Sequence, residues 1–220
     1  NGKPIKKWDM GTFQDTDGSG YILIHGGEIY KLSDDYQSVV EQLNPNMTSG
    51  FESPTMLKKE GIYFLIGSHL TSWERNDNYY YTSNSIKGPW ISRGLIAPEG
   101  SLTWNSQSTF VLPIQGTKDT TFMFMGDRWS FPKQASSATY VWQPLLVFGT
   151  SLSMPIYQEA WQIDIATGIA TPVKTSETTI ENTDKQIQYS GNWKQNADAS
   201  ESKSDEKGAL FSVAFNGQQI

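Results

Sequence analysis

Runs of branched and aromatic residues return along this chain between polar turn residues, and helical periodicity is almost absent. GYILIHG (Gly20–Gly26) follows the turn DTDG, GIYFLIGS (Gly61–Ser68) follows KKEG, and TTFMFMGD (Thr120–Asp127) follows QGTKD. TYVWQPLLVFG and IYQEAWQIDIATG continue the pattern. Such punctuation predicts an all-β fold. Tyr21, Tyr63 and Phe122 hold similar places in the first three runs, about 40 to 60 residues apart. A repeat of that length fits the blades of a β-propeller. A β-sandwich, whose strands also recur between turns, fits as well.

At 220 residues the chain suits one large domain, or one domain and part of another. Charged residues are only 18% of it, which argues against disorder. The 8 Trp and 10 Tyr suit an all-β core, or a surface that stacks on sugar rings. The net charge is −6 with no basic patch, so neither nucleic acid nor an anionic membrane is an expected partner. No apolar run approaches the ~18 residues of a membrane helix. The absence of cysteine excludes disulfides and thiolate metal ligands. The opening NGKPIKKWDM has neither an initiator Met nor the apolar stretch of a signal peptide. That is expected where a signal has been removed or where a chain starts within a longer protein. The closing GALFSVAFNGQQI alternates through Phe211, Val213 and Phe215 like a strand still lacking a partner, so a fragment is expected at both ends.

Composition changes after Gly168. Thr171 to Lys185 is rich in Thr, Ser and Glu without apolar periodicity, and reads as a linker or crossover. A new β pattern begins at IQYSGNW, and the polar run Asn196 to Lys207 inside it reads as a solvated loop. The expected division is residues 1–175 and 176–220.

Three side chains have the chemistry of a hydrolytic site. Glu52 precedes Ser53-Pro54, which places its backbone at the start of an extended segment. Beside Phe51 and near Trp73, its carboxyl is a candidate for desolvation, which raises a pKa toward that of a general acid. Asp9, in KKWDMGTF, is a second carboxylate that would keep that proton in place by like-charge coupling. Gln107, in WNSQSTFVLP, would orient a water or a sugar hydroxyl. Taken singly, each also fits a surface turn or a hydrogen-bonded loop. His25 and His69 lack a third ligand for zinc. DTDGSG lacks the later glutamate of a calcium loop and fits a hairpin turn. Asn46-Met47-Thr48 is a formal glycosylation sequon. No cofactor is expected, with calcium left open.

Taken together, WDMGTFQDTDGSGYILIHGGEIYKLSDDYQSV, FESPTMLKKEGIYFLIGSHLTSWERNDN, WNSQSTFVLP and MGDRW resemble glycoside hydrolase family 43, in its exo-β-1,3-galactanase branch. The resemblance runs from about Lys6 to Gly168. It implies a partial five-bladed β-propeller with a site in its central funnel. The tail from Gln188 resembles the start of a carbohydrate-binding β-jelly-roll module. Glu52 matches the family's general acid, and Asp9 the acid that tunes and orients it. Gln107 matches the glutamine that holds the attacking water in this branch. Thr71, Trp73 and Asn76 match the sugar-binding stretch after the acid. The resemblance thus implies an inverting enzyme that is secreted or extracytoplasmic, likewise a monomer, acting on β-1,3-galactan or arabinogalactan. It also implies a further substrate-contacting glutamate from earlier blades, which this sequence does not contain. Another family activity (an arabinosidase or xylosidase) and a non-catalytic sugar-binding propeller stay open.

Overall fold

The computed structural model describes residues 8–45, 47–72, 74–128, 139–174, 180–196 and 201–214. Trp73, Asn46 of the sequon and Phe215 lie outside the described residues. The chain forms two compact units, Asn1–Val173 and Lys174–Ile220.

Among the described residues, the first unit holds three four-stranded antiparallel sheets, each a meander in chain order. The first holds β1 (Met10–Gln14), β2 (Gly20–Ile24), β3 (Glu28–Leu32) and β4 (Val39–Asn44). The second holds β5 (Phe51–Lys59), β6 (Ile62–His69), β7 (Tyr79–Ser83) and β8 (Ile91–Leu95). The third holds β9 (Gln107–Gln115), β10 (Thr120–Asp127), β11 (Tyr140–Phe148) and β12 (Ser151–Ser153). A two-stranded ribbon, β13 (Trp161–Asp164) with β14 (Ile169–Pro172), follows. Strand pairing therefore extends through Thr171 and Pro172, which the composition had assigned to a linker. Local polarity misleads there because Thr171 pairs with Gln162 through the backbone, whatever its side chain.

Tyr21, Tyr63 and Phe122 all fall on the second strand of their sheets. These strands lack in/out alternation because both faces are covered. On β6, Tyr63 and Leu65 join the cluster shared with Tyr21, Leu23 and Ile29 of the first sheet. Phe64 and Ile66 join the cluster shared with Val111, Phe122, Phe124 and Val141 of the third. The sheets are thus stacked in succession, three layers deep, where a plain sandwich has two. Each fully buried side chain of this size contributes about 1.5–3 kcal/mol.

The turns follow their sequences. DTDG closes β1 to β2, with Gly18 N–H donating to Asp15 O at 2.9 Å. Glu60 and Gly61 both take positive φ (51° and 80°) between the paired residues Lys59 and Ile62, as a two-residue type I′ turn requires. First strands lie side by side, β1 against β5 and β5 against β9. Contact is close at Gly11, where a Cβ would lie 2.1 Å from the Pro54 carbonyl oxygen. Only glycine lets β1 approach β5 there.

In the second unit, β15 (Ile187–Ser190) pairs with β18 (Leu210–Val213), and β16 (Lys194–Gln195) with β17 (Ser202–Lys203). Tyr189, Trp193 and Phe211 form a small aromatic cluster, with centroids 4.9 to 6.5 Å apart.

Candidate active site

Asp9, Glu52 and Gln107 occupy equivalent places. Asp9 immediately precedes β1, Glu52 is the second residue of β5, and Gln107 is the first of β9. Because these strands are neighbours, their starting ends converge. Asp9 Oδ2 accepts a hydrogen bond from Ser53 N–H at 3.2 Å, next to Glu52 in sequence. Ser108 Oγ, next to Gln107, donates to Ser53 O at 2.8 Å. Gln107 Nε2 donates to Ser68 Oγ at 2.7 Å, and Ser68 is the ladder partner of Glu52.

The registers repeat. Glu52 pairs with Ser68, one pair in from the end of its β-ladder, and Gln107 with Asp127, the end pair of its own. Both ladders slip by one residue just beyond these pairs, between Glu52 and Thr55 and between Met125 and Gly126. Bulges of this kind re-aim side chains at strand ends. Ser53, inside the first bulge, takes φ 48°, and Asp9 takes φ 50°. Each sheet also approaches itself closely here. A Cβ on Gly67 would lie 2.8 Å from Glu52 O, and one on Gly126 2.9 Å from Gln107 O.

The Glu52 carboxyl is held above its ordinary pKa. Burial is the larger cause, the Asp9 charge adds to it, and His25 opposes them. A carboxyl that keeps its proton toward neutral pH is the property of a general acid. His25 stacks on Trp8 with ring centroids 3.8 Å apart, and its Nδ1 lies 2.7 Å from Trp8 O. Phe51, the flanking aromatic, instead packs edge-on to Tyr79 and Tyr81 inside the core.

Gln107 is preceded by an unusual turn. Leu102 to Asn105 all take positive φ, between 52° and 60°, although none is glycine. Left-handed backbone costs about 1–2 kcal/mol per residue, so other contacts must hold it. Asp77 supplies two of them, accepting from Gly100 N–H and Leu102 N–H, each at 2.7 Å. Thr103 Oγ1 donates to Asn76 O and accepts from Asn78 N–H. Asn78 Oδ1 then accepts from Ser108 N–H at 2.9 Å. The β6–β7 loop therefore braces the segment that delivers Gln107.

Asn76 and Thr71 are bound up in that loop. Asn76 is buried, donates to His69 O and Thr71 Oγ1, and accepts from His69 N–H. Thr71 Oγ1 also donates to Glu74 O at 2.7 Å. Ser68, Asp77 and Asn78 went unremarked in the sequence, and His25 was weighed only as a zinc ligand. The recurrence of ILIHG, FLIGS and MFMGD was the signal that marks the ends of the second strands, where Ser68 and Asp127 lie and just past which His25 follows β2. Among the described residues no group of three or more His, Asp or Glu side chains is placed to hold a metal ion, and no helix is long and apolar enough to cross a membrane.

Among solved structures, the chain is similar to glycoside hydrolases that act on β-1,3-galactan. It is 37% identical to a candidate exo-β-1,3-galactanase from Bifidobacterium bifidum s17, with a TM-score of 0.63, over 73% of this chain and 56% of that one. It is 29% identical to the exo-β-1,3-galactanase of Phanerochaete chrysosporium crystallised with galactose, with a TM-score of 0.67, over 87% of this chain and 44% of that one. Variants of that enzyme with a glutamate replaced by alanine or glutamine were crystallised with β-1,3-galactotriose. An exo-β-1,3-galactanase from Clostridium thermocellum matches at 25% identity and a TM-score of 0.68, over 94% of this chain and 45% of that one. The chain thus spans about half the length of these proteins. No family model and no curated protein matches it.

Proposed function

We propose that the protein is an inverting exo-glycosidase that removes terminal β-1,3-linked galactose from galactan or arabinogalactan. The observation that carries this is the convergence at one strand end of Glu52, with its raised pKa, the neighbouring Asp9, and the buried amide of Gln107. Glu52 protonates the glycosidic oxygen. Asp9 keeps that proton on Glu52 until it is needed. Gln107 holds the water that attacks the anomeric carbon from the opposite face. Inversion requires a separation of about 6.5–9.5 Å between the two groups, so that the water fits. Galactose and β-1,3-galactotriose in the Phanerochaete structures support the choice of sugar.

In the same proposal, the three meanders are blades of a five-bladed propeller. The unit from Lys174 begins a carbohydrate-binding β-sandwich, the protein is a secreted monomer, and Thr71, Trp73 and Asn76 shape the sugar subsite. Galactose release from β-1,3-galactobiose by the full-length protein tests the activity, alongside aryl arabinosides and xylosides. Release of arabinose or xylose in place of galactose would reassign the substrate. Galactan binding without any sugar release would make the protein a binding module.

A further inference from the structure

Two serines join the strand that carries the acid to the strand that carries the amide. Ser68 is fully buried, stands across the β5–β6 ladder from Glu52, and accepts from Gln107 Nε2 at 2.7 Å. Ser108 is 1% exposed and donates at 2.8 Å to Ser53 O, inside the bulge that follows Glu52. The two contacts lie one residue from each other along β9. One grips the amide side chain, and the other ties β9 to the β5 backbone at Ser53, next to Glu52. Directly opposed residues of an antiparallel pair have Cβ atoms about 4.5–5.5 Å apart. Ser68 is therefore a neighbour of the Glu52 side chain as well as a hydrogen-bond partner of Gln107.

We propose that Ser68 and Ser108 form a two-point clamp that sets the spacing between the acid and the water-holding amide. Both are positioning residues, acting through Glu52 and Gln107. This role presupposes the glycosidase activity proposed above. An inverting reaction is sensitive to this spacing because the water must fit between the sugar and the amide. Loss of the Ser68 grip removes the hydrogen bond that ties the Gln107 amide to β6 beside Glu52. A displacement of about 1 Å at a reacting group costs on the order of 100-fold in rate. A hydroxyl that serves only packing would show in stability and leave the rate of the folded enzyme unchanged.

The test uses Ser68→Ala and Ser108→Ala in the full-length protein, with Glu52→Gln and the wild type beside them. We expect kcat on β-1,3-galactobiose to fall on the order of 100-fold in Ser68→Ala. KM should stay near the wild-type value and the melting temperature should fall by only a few degrees, far too little to account for the lost rate, and Ser108→Ala should show a smaller loss of the same kind. Azide, a nucleophile that needs no holding by the amide, should restore turnover in Ser68→Ala. It forms a C1–N bond to give the inverted galactosyl azide, while the glycosidic C–O bond breaks and Glu52 still protonates the departing oxygen. Azide should not restore Glu52→Gln on the same substrate. An unchanged kcat, a loss that follows the melting temperature alone, or no response of Ser68→Ala to azide would each overturn the clamp. A wild type that releases no galactose would instead remove the activity on which the clamp depends.

Discussion

Replacing Lys58 by Met probes what joins the first two sheets at the end away from the candidate acid. Lys58 Nζ lies 2.6 Å from Asp15 Oδ1, with side-chain exposures of 21% and 4%. Tyr63 OH donates to the other carboxylate oxygen at 2.5 Å, and Thr16 N–H to Oδ1 at 2.6 Å. Burial alone would raise the Asp15 pKa, but hydrogen bonds from Lys58, Tyr63 and Thr16 outweigh it and hold the carboxyl below its ordinary value. Breaking a buried pair by removing one partner costs about 3–5 kcal/mol. Tyr63 and Thr16 still serve the carboxylate and Lys58 is partly exposed, so about 2–3 kcal/mol is expected here. For a unit of this size that lowers the melting temperature by roughly 4–12 °C. The pH dependence has a definite sign. A depressed carboxyl pKa stabilises the folded state fully above the unfolded value, and that contribution is lost as pH falls through the folded value. The gap between wild type and Lys58→Met should be full at about pH 7 and should narrow progressively as pH falls below the ordinary carboxylate range and through the lowered folded value of Asp15. Urea unfolding followed by tryptophan fluorescence measures both, and Asp15→Asn with Lys58→Met should recover most of the loss. A gap under about 0.5 kcal/mol at neutral pH, or one that does not narrow in acid, would refute this account of the pair.

Asp9→Asn removes a charge that raises the Glu52 pKa, so the basic limb of the kcat/KM profile should move to lower pH; an unmoved limb would exclude the coupling. Gly67→Ala drives a Cβ to within 2.4 Å of the Phe51 ring and 2.8 Å of Glu52 O. It should cost about 1–3 kcal/mol and lower turnover beyond the loss of folded protein, as unfolding and rate measurements on one preparation would show. Asn76→Ala removes four hydrogen bonds made by a buried side chain, one of them long at 3.4 Å. It should lower stability by about 1–3 kcal/mol and, because the same loop shapes the proposed subsite, weaken sugar binding with it; unchanged stability would refute the bracing role of Asn76.

The strands were legible because Tyr63 to Ile66 and Phe122 to Phe124 combine branched and aromatic residues between strong turns. Glu60-Gly61 and Asp15–Gly18 fixed two hairpins outright. The convergence of Asp9, Glu52 and Gln107 was reached through family likeness, since nothing local to each residue says that the three strands start side by side. The Ser68–Gln107 contact was not legible, because it joins residues 39 apart in different sheets. Nor was the left-handed turn at Leu102 to Asn105, which has no glycine to announce it and is held by Asp77 from another loop. Asn76 illustrates the opposite case: a polar residue in a sugar-binding motif context whose donors and acceptor are engaged by its own loop.

The most direct measurement is time-resolved proton NMR of β-1,3-galactobiose with the full-length protein and its Glu52→Gln variant. The account predicts that galactose from the non-reducing end appears first as the α anomer, the inverted product. It also predicts no turnover in Glu52→Gln while β-1,3-galactotriose still binds. First appearance of the β anomer, near-normal turnover in the variant, or no galactose from a folded wild type would contradict it.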